Sequence, residues 1–349
     1  MSQKRISYID MAKGIGILLV LIGHSEFPST NLITWISSFH MPLFFILSGM
    51  LFSHTNIFQK EWKVFVQKKA KSILIPYVAF SILSILASAI LDFSSFPEYL
   101  WTSLLQTISL YGISVLWFLP TLFISEIAFF FIKQRTSPKT AVFVNLVVGV
   151  LAICGNELYH RYYTVTDDYL TLFLSYLLTV LIRSGIAITF LAIGYYIYRP
   201  LSAQKHYGSI YLVLSSGFLL LNIFLGFRNG GVDLNQLVFR NYILYYLAAF
   251  CGSMFIICLC KALPDIRPLI YMGTNSLIIM ATHMNCRFLG ACFLVADFVS
   301  RLLPQAGLFG YYLVVAVCML ILEVIAITVI NRHFPFLIGK PMCKLNSVK

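Results

Sequence analysis

The sequence predicts an all-α polytopic membrane protein with about ten transmembrane helices and cytoplasmic N- and C-termini. Three observations carry this expectation. Of the 349 residues, 59% are hydrophobic and 11% are charged, and the mean hydropathy is +0.86. A soluble domain carries about 25% charged residues, so this chain lacks the charge to cover a water-facing surface. The apolar residues also fall into runs of bilayer-spanning length, without the strand-period alternation of a membrane barrel. Finally, the basic residues are divided unevenly between alternate loops.

The predicted spans, in order, are Ser7–His24, Leu32–Ser53, Lys71–Leu91, Ile113–Ile132, Ala141–Asn156, Ser184–Arg199, Ser209–Phe227, Asn241–Cys260, Ile270–Ala291 and Phe309–Ile330. The first contains Asp10 and Lys13 and is followed by no small-residue cleavage site, so it reads as a retained helix and not as a signal peptide. The run Tyr169–Ile182 is too short for an eleventh span; it reads as a re-entrant helix, an interfacial helix or the start of a longer bent one. With the N-terminus inside, the inner segments hold 18 basic residues. They are Lys4, Arg5, the Lys60, Lys63, Lys68, Lys69 and Lys71 group, Lys133, Arg135, Lys139, Arg199, Lys205, Lys261, Arg267, Arg332, Lys340, Lys344 and Lys349. The outer segments hold five, Arg161, Arg183, Arg228, Arg240 and Arg301, and no lysine. This asymmetry predicts an even number of crossings. No loop is long enough for an appended soluble domain, so residues 1–349 are expected to form one membrane domain.

The net charge of +12 does not point to nucleic acid, because no zinc knuckle, RRM-like run or aromatic–basic interleaving accompanies it. The eight cysteines form no CxxC pair. Cys154, Cys251, Cys258, Cys260, Cys286, Cys292 and Cys318 lie in or beside apolar runs, where thiols act as small hydrophobes. No metal site is expected.

Ionisable residues inside a bilayer are costly, and each is a candidate for function. The set is Asp10, Lys13, His24, His40, Glu126, His283, Arg287 and Glu323. Structural readings stand beside the functional ones. Asp10 and Lys13 pair at i,i+3 and anchor the first helix, Glu126 and Glu323 bond between helices, and His40 and His283 hydrogen-bond within the bundle. Lys13 and His24 are 11 residues apart, close to three helical turns, so they share a face at a separation of about 16 Å. One end of that face offers a cation for a phosphate or other anion. The other offers an imidazole for proton transfer. The separation is that of an extended pantetheine arm.

The segment Tyr8-Ile-Asp-Met-Ala-Lys-Gly-Ile-Gly-Ile-Leu-Leu-Val-Leu-Ile-Gly-His24-Ser resembles the first-helix signature of the membrane acyltransferase-3 family, which includes sugar O-acetyltransferases. Phe39-His-Met-Pro-Leu-Phe-Phe-Ile-Leu-Ser-Gly49 resembles the second signature. Ile75-Pro-Tyr77, Leu116-Trp-Phe-Leu119 and Met272-Gly-Thr-Asn-Ser-Leu-Ile-Ile-Met-Ala-Thr-His283 resemble three later ones. They occur in family order over nearly the whole chain, and the stand-alone, fucose-4-O-acetylase-like branch is the most similar.

The resemblance implies a ten-helix acyltransferase of a bacterial inner membrane. It would move an acyl group, acetyl by default, from cytoplasmic acetyl-CoA to a hydroxyl of an envelope glycan or its lipid-linked precursor. The family's first-helix histidine corresponds to His24, expected as general base, and its basic partner to Lys13. The basic pair before Pro-Tyr falls on Lys69 and Ser72, so Ser72 departs from the pattern while Lys68 and Lys71 keep the local charge. Lys13, Lys68, Lys69 and Lys71 are the expected CoA-binding cations. Asn275, Ser276 and His283 are candidate donors to the carbonyl oxygen as it becomes an oxyanion. The glutamate found five residues after the tryptophan in one branch is here Leu122. Direct transfer and a transient acyl-histidine both fit. The competing expectation is a polysaccharide or glycolipid exporter without transferase chemistry, for which helix breaks such as Met41-Pro42 and Gly185 are also suited.

Overall fold

The computed structural model describes residues 5–25, 29–55, 57–91, 96–162, 168–203 and 208–341. Lys4, Lys205, Lys344 and Lys349 of the inner basic set lie outside the described residues. The chain forms α1 (Ser7–His24), α2 (Thr30–Ser37), α3 (His40–Thr55), α4 (Trp62–Lys69), α5 (Ile75–Leu91), α6 (Phe96–Ile108), α7 (Phe118–Arg135) and α8 (Pro138–Tyr162). It continues with α9 (Tyr169–Ala203), α10 (Gly208–Asn229), α11 (Tyr242–Ala262), α12 (Arg267–Thr274), α13 (Ser276–Thr282), α14 (Phe288–Leu302) and α15 (Gly307–His333).

Among the described residues nine helical segments are long and apolar enough to cross a membrane. Nine of the ten predicted spans fall on them. The predicted span Ile270–Ala291 does not survive as one helix. Arg267-Pro268 opens α12, and Asn275 closes it by donating Nδ2 to the Tyr271 carbonyl at 2.8 Å. An asparagine that satisfies a last-turn carbonyl offers the backbone an exit from the helix. The helix restarts as α13, and a second break follows, where Arg287 takes the left-handed conformation at φ 61° just before α14. Hydropathy alone registers neither break.

The open question over Tyr169–Ile182 is resolved: it is the first half of α9, a single 35-residue helix about 52 Å long. Arg183, expected in an outer loop, therefore lies inside α9 and is fully buried. Lys261, counted with the inner loops, is also buried, at the last turn of α11. Its ammonium donates to the Leu201 carbonyl in the last turn of α9 and to the Tyr211 hydroxyl, 2.7 Å away. Cations at that position suit the carbonyls left over at a helix C-terminus.

Two compact units are defined: Met1–Phe65 with Thr121–Ser276, and Val66–Pro120 with Leu277–Lys349. In the first, helices meet backbone to backbone, because lipid supplies no hydrophobic drive between helices and close packing must replace it. A side chain at Gly14 would collide with the Leu269 carbonyl, and one at Gly273 with the Asp10 carbonyl, so α1 and α12 are in backbone contact. α3 and α9 meet similarly at Gly49 and Gly194. Polar links add to the packing. Asn222 of α10 donates to the Ala248 carbonyl of α11 at 2.8 Å and to the Ser38 hydroxyl at 3.1 Å. The Phe65 and Phe130 rings stack at 3.9 Å between α4 and α7.

In the second unit, Ala70–Leu74 is a π-helical segment that joins α4 to α5. Pro76 has no N–H and cannot bond one turn back. The Ile75 amide instead reaches the Ala70 carbonyl, widening the turn. Tyr77 donates to the Gln106 and Thr107 carbonyls of α6 at 3.2 and 3.0 Å. Asn285 donates to the Ser84 hydroxyl at 3.3 Å and the Ile113 carbonyl at 3.2 Å, and Arg287 to the Ser88 hydroxyl at 3.1 Å.

Candidate active site

The helix α1 sets the geometry. It runs unbroken from Ser7 to His24, so Lys13 and His24 share a face about 16 Å apart. At the Lys13 end, the ammonium lies 3.9 Å from the Asp10 carboxylate, the i,i+3 pair read from the sequence. Both are half-buried, with side chains 24% and 14% exposed. Gly273 rests on the Asp10 carbonyl and the Gly14 amide, which puts Asn275 two residues from this turn of α1. Asn275 thus belongs with Lys13, about three turns from His24.

At the other end, the His24 ring hydrogen-bonds the Val20 carbonyl and lies within electrostatic range of His40 and Asp233. His40 bonds its own i−4 carbonyl, Nδ1 to Ile36 O at 2.8 Å. A carbonyl only accepts, so that nitrogen carries the proton and Nε2 holds the lone pair. α1 and α2 meet nearby, where Gly23 faces the Ile36 side chain. Asp233 comes from the 230–241 loop, a compact turn built on paired backbone bonds between Asp233 and Val238 at 3.0 and 2.8 Å. The Asp233 carboxylate accepts from the Asn235 and Gln236 amides, at 2.8 and 3.0 Å.

This loop is held from below. Arg183 donates Nε to the Asn235 carbonyl at 2.8 Å, and Nη2 donates to the same oxygen. Asn156 and His160 of α8 both bond the Leu237 carbonyl at 3.0 Å. The sequence reading missed this assembly. Its signal was an arginine set directly after an apolar run that continues beyond it, which marks a charge inside a helix more than a loop.

Lys68 and Lys69 occupy the last turn of α4 and Lys71 the π-helical turn that follows; Lys68 and Lys71 are exposed and Lys69 half-buried. They belong to the second unit from Val66 onward, as does His283. His283 is fully buried and bonds the Ile279 carbonyl through Nδ1 at 2.9 Å. The two buried glutamates bond between helices: Glu126 of α7 accepts from Ser48 of α3, and Glu323 of α15 accepts from Thr282 of α13 at 2.7 Å. Among the described residues no three His, Cys, Asp or Glu side chains converge as a metal site would require.

The chain belongs to the membrane acyltransferase-3 family, whose model, described as an acyltransferase domain, matches residues 6–330. Comparison with curated proteins and with solved structures returned no match. The five resembling segments fall at structural joints: on α1, the start of α3, the π-helical exit into α5, the turn entering α7, and the α12–α13 break.

Proposed function

We propose that this protein transfers an acyl group, acetyl from cytoplasmic acetyl-CoA, to a hydroxyl of an envelope glycan or its lipid-linked precursor, as in the fucose-4-O-acetylase-like branch. The observation that carries this reading is the α1 face, with a lysine at one end and an imidazole about 16 Å away, in a chain of an acyltransferase family. In the proposed reaction His24 takes the proton of the acceptor hydroxyl as its oxygen attacks the thioester carbonyl. The new C–O bond forms, the C–S bond breaks, and the CoA thiolate recovers the proton from the imidazolium. The Val20 carbonyl fixes the ring's orientation.

Lys68, Lys69 and Lys71 are proposed to bind the CoA phosphates, and Lys13 to guide the pantetheine arm. Asn275 and His283 are the proposed donors to the carbonyl oxygen. The Lys/Arg asymmetry supports an even number of crossings with cytoplasmic termini, and the family resemblance points to a bacterial inner membrane.

The test is acyl transfer by purified protein from labelled acetyl-CoA to envelope glycan. Wild type should consume thioester and label the glycan. His24→Gln, which keeps a hydrogen bond but not a comparable base, should lose about 10²–10⁴-fold in rate with unchanged CoA affinity. Glycan flux across vesicles without thioester consumption would replace this reading with an exporter.

A further inference from the structure

In the second unit the turn after α15, Pro335–Ile338, ends at Gly339, and Gly339 rests on the π-helical joint between α4 and α5. Its φ is 68°, a left-handed conformation open to glycine at no steric cost. A Cβ there would collide with the Lys71 carbonyl oxygen and lie 2.9 Å from its carbon and 3.4 Å from the Ser72 Cα. The next residue is Lys340, so its Cα lies within about 10 Å of the Lys71 Cα. Two segments far apart in sequence thus meet here. Residues 66–75 and 327–341 supply Lys68, Lys69, Lys71, Arg332 and Lys340 and contain no aspartate or glutamate. Lys68, Lys71, Arg332 and Lys340 are exposed, so the patch is open to a ligand.

Basic residues at one end of a membrane bundle orient the chain, and that role needs charge but no fixed position. Lys340 has a fixed position. Its backbone amide donates to the Pro335 carbonyl at 3.0 Å, and its ammonium donates to the Asn331 Oδ1 at 2.9 Å. Asn331 is itself oriented, because its Nδ2 donates to the Ile327 carbonyl at 2.9 Å. The holding group is a neutral amide, so it places the ammonium without cancelling its charge. Among the described residues no carboxylate pairs with Lys340. CoA carries phosphate in two places, a diphosphate and a ribose 3′-phosphate. Several cations spread over one face match that distribution better than a single ammonium, which is a point charge.

We propose that Lys340 is a further cation of the cofactor site, and that the turn after α15 and the α4–α5 joint bind the CoA phosphates together. The proposal rests on the acyl-CoA reading above.

Calorimetric titration of CoA into the full-length protein, in an uncharged detergent at low salt, tests it. Lys340→Gln should weaken CoA binding roughly three- to tenfold and flatten its salt dependence. Lys340→Arg, which keeps the charge, should stay near wild type. An anionic lipid headgroup offers the same phosphate chemistry, so the same preparations are offered phosphatidylglycerol and weighed by native mass spectrometry. Loss of that lipid from Lys340→Gln with CoA affinity unchanged would give the patch to lipid and overturn the assignment. CoA affinity lost on neutralising Lys68, Lys69 and Lys71 but kept in Lys340→Gln would overturn it alone and leave the acyl-CoA reading standing. Absence of CoA binding by wild type would overturn both.

Discussion

Replacing Gly273 with alanine tests the packing that positions α1. The new Cβ would overlap the Asp10 carbonyl oxygen and lie 2.8 Å from its carbon and 2.9 Å from the Gly14 nitrogen. Carbon contacts are normally about 3.5–4.0 Å. All three obstacles are backbone, so no side-chain end can swing away, and α12 must part from α1 by more than about 1 Å. Overpacking of this kind costs about 1–3 kcal/mol. Alanine returns about 1 kcal/mol as a better helix former than glycine. Backbone obstacles put the cost at the upper end, so the net effect is about 2 kcal/mol destabilising. A shift of about 1 Å in a reacting group costs about 10²-fold in rate, so acyl transfer should fall more than folded yield. Gly14→Ala strains the same contact, with its Cβ 3.1 Å from the Leu269 Cα. Once one substitution has parted the helices, the second meets less resistance, and the double variant should cost less than the sum of the singles. Unfolding curves in one detergent for the wild type, both singles and the double give these numbers. A Gly273→Ala protein more stable than wild type, or strict additivity in the double, would refute the backbone contact.

Three further outcomes follow from other parts of the molecule. Neutralising Lys68, Lys69 and Lys71 together to glutamine should weaken CoA binding and flatten its salt dependence in calorimetric titration; an unchanged affinity would remove the cluster from the donor site. Single cysteines introduced at positions 60 and 136 should resist an impermeant external thiol reagent, while one at position 30 reacts; strong external labelling at 60 would invert the orientation. The Asp168 carboxylate accepts from the Thr171 amide at 2.8 Å and its hydroxyl at 2.6 Å, which hold its pKa below the ordinary carboxylate value. Its stabilisation of the first turn of α9 is therefore full above that ordinary value and lost as pH falls through the depressed one. Asp168→Ala should raise hydrogen exchange at the Leu170–Leu172 amides at neutral pH, and that difference should vanish in acid; a difference persisting in acid would assign the effect to something other than the carboxylate.

Much of the fold was legible because a bilayer demands long apolar runs, and such runs are visible residue by residue. The spacing of Lys13 and His24 was legible for a related reason: an unbroken helix converts it directly into a distance. What escaped was local competition for backbone bonds. Asn275 and Arg287 end helices inside an apolar stretch, and an averaged hydropathy cannot see a side chain that caps its own turn. Arg183 escaped because a charge beside a run resembles a loop boundary; only its bond to the Asn235 carbonyl reveals it as the interior tether of the 230–241 loop. The grouping of Asn275 with Lys13 also needed structure, since it depends on which glycines touch.

The length of α9 has a consequence for the surrounding membrane. Transmembrane helices tilt by at most about 40°, and a helix of about 52 Å at that tilt still rises about 40 Å, some 10 Å more than the core is thick. The Tyr169 half carries Leu170, Leu174, Leu178 and Leu181 exposed along one stripe. Leaving those leucines in water is unfavourable, so the nearby acyl chains must stretch to cover them, at a fraction of a kcal/mol per Å of mismatch. The mismatch at the Tyr169 half of α9 therefore shrinks as the host bilayer is made thicker, so this end of the helix should be better covered in long-chain than in short-chain lipid.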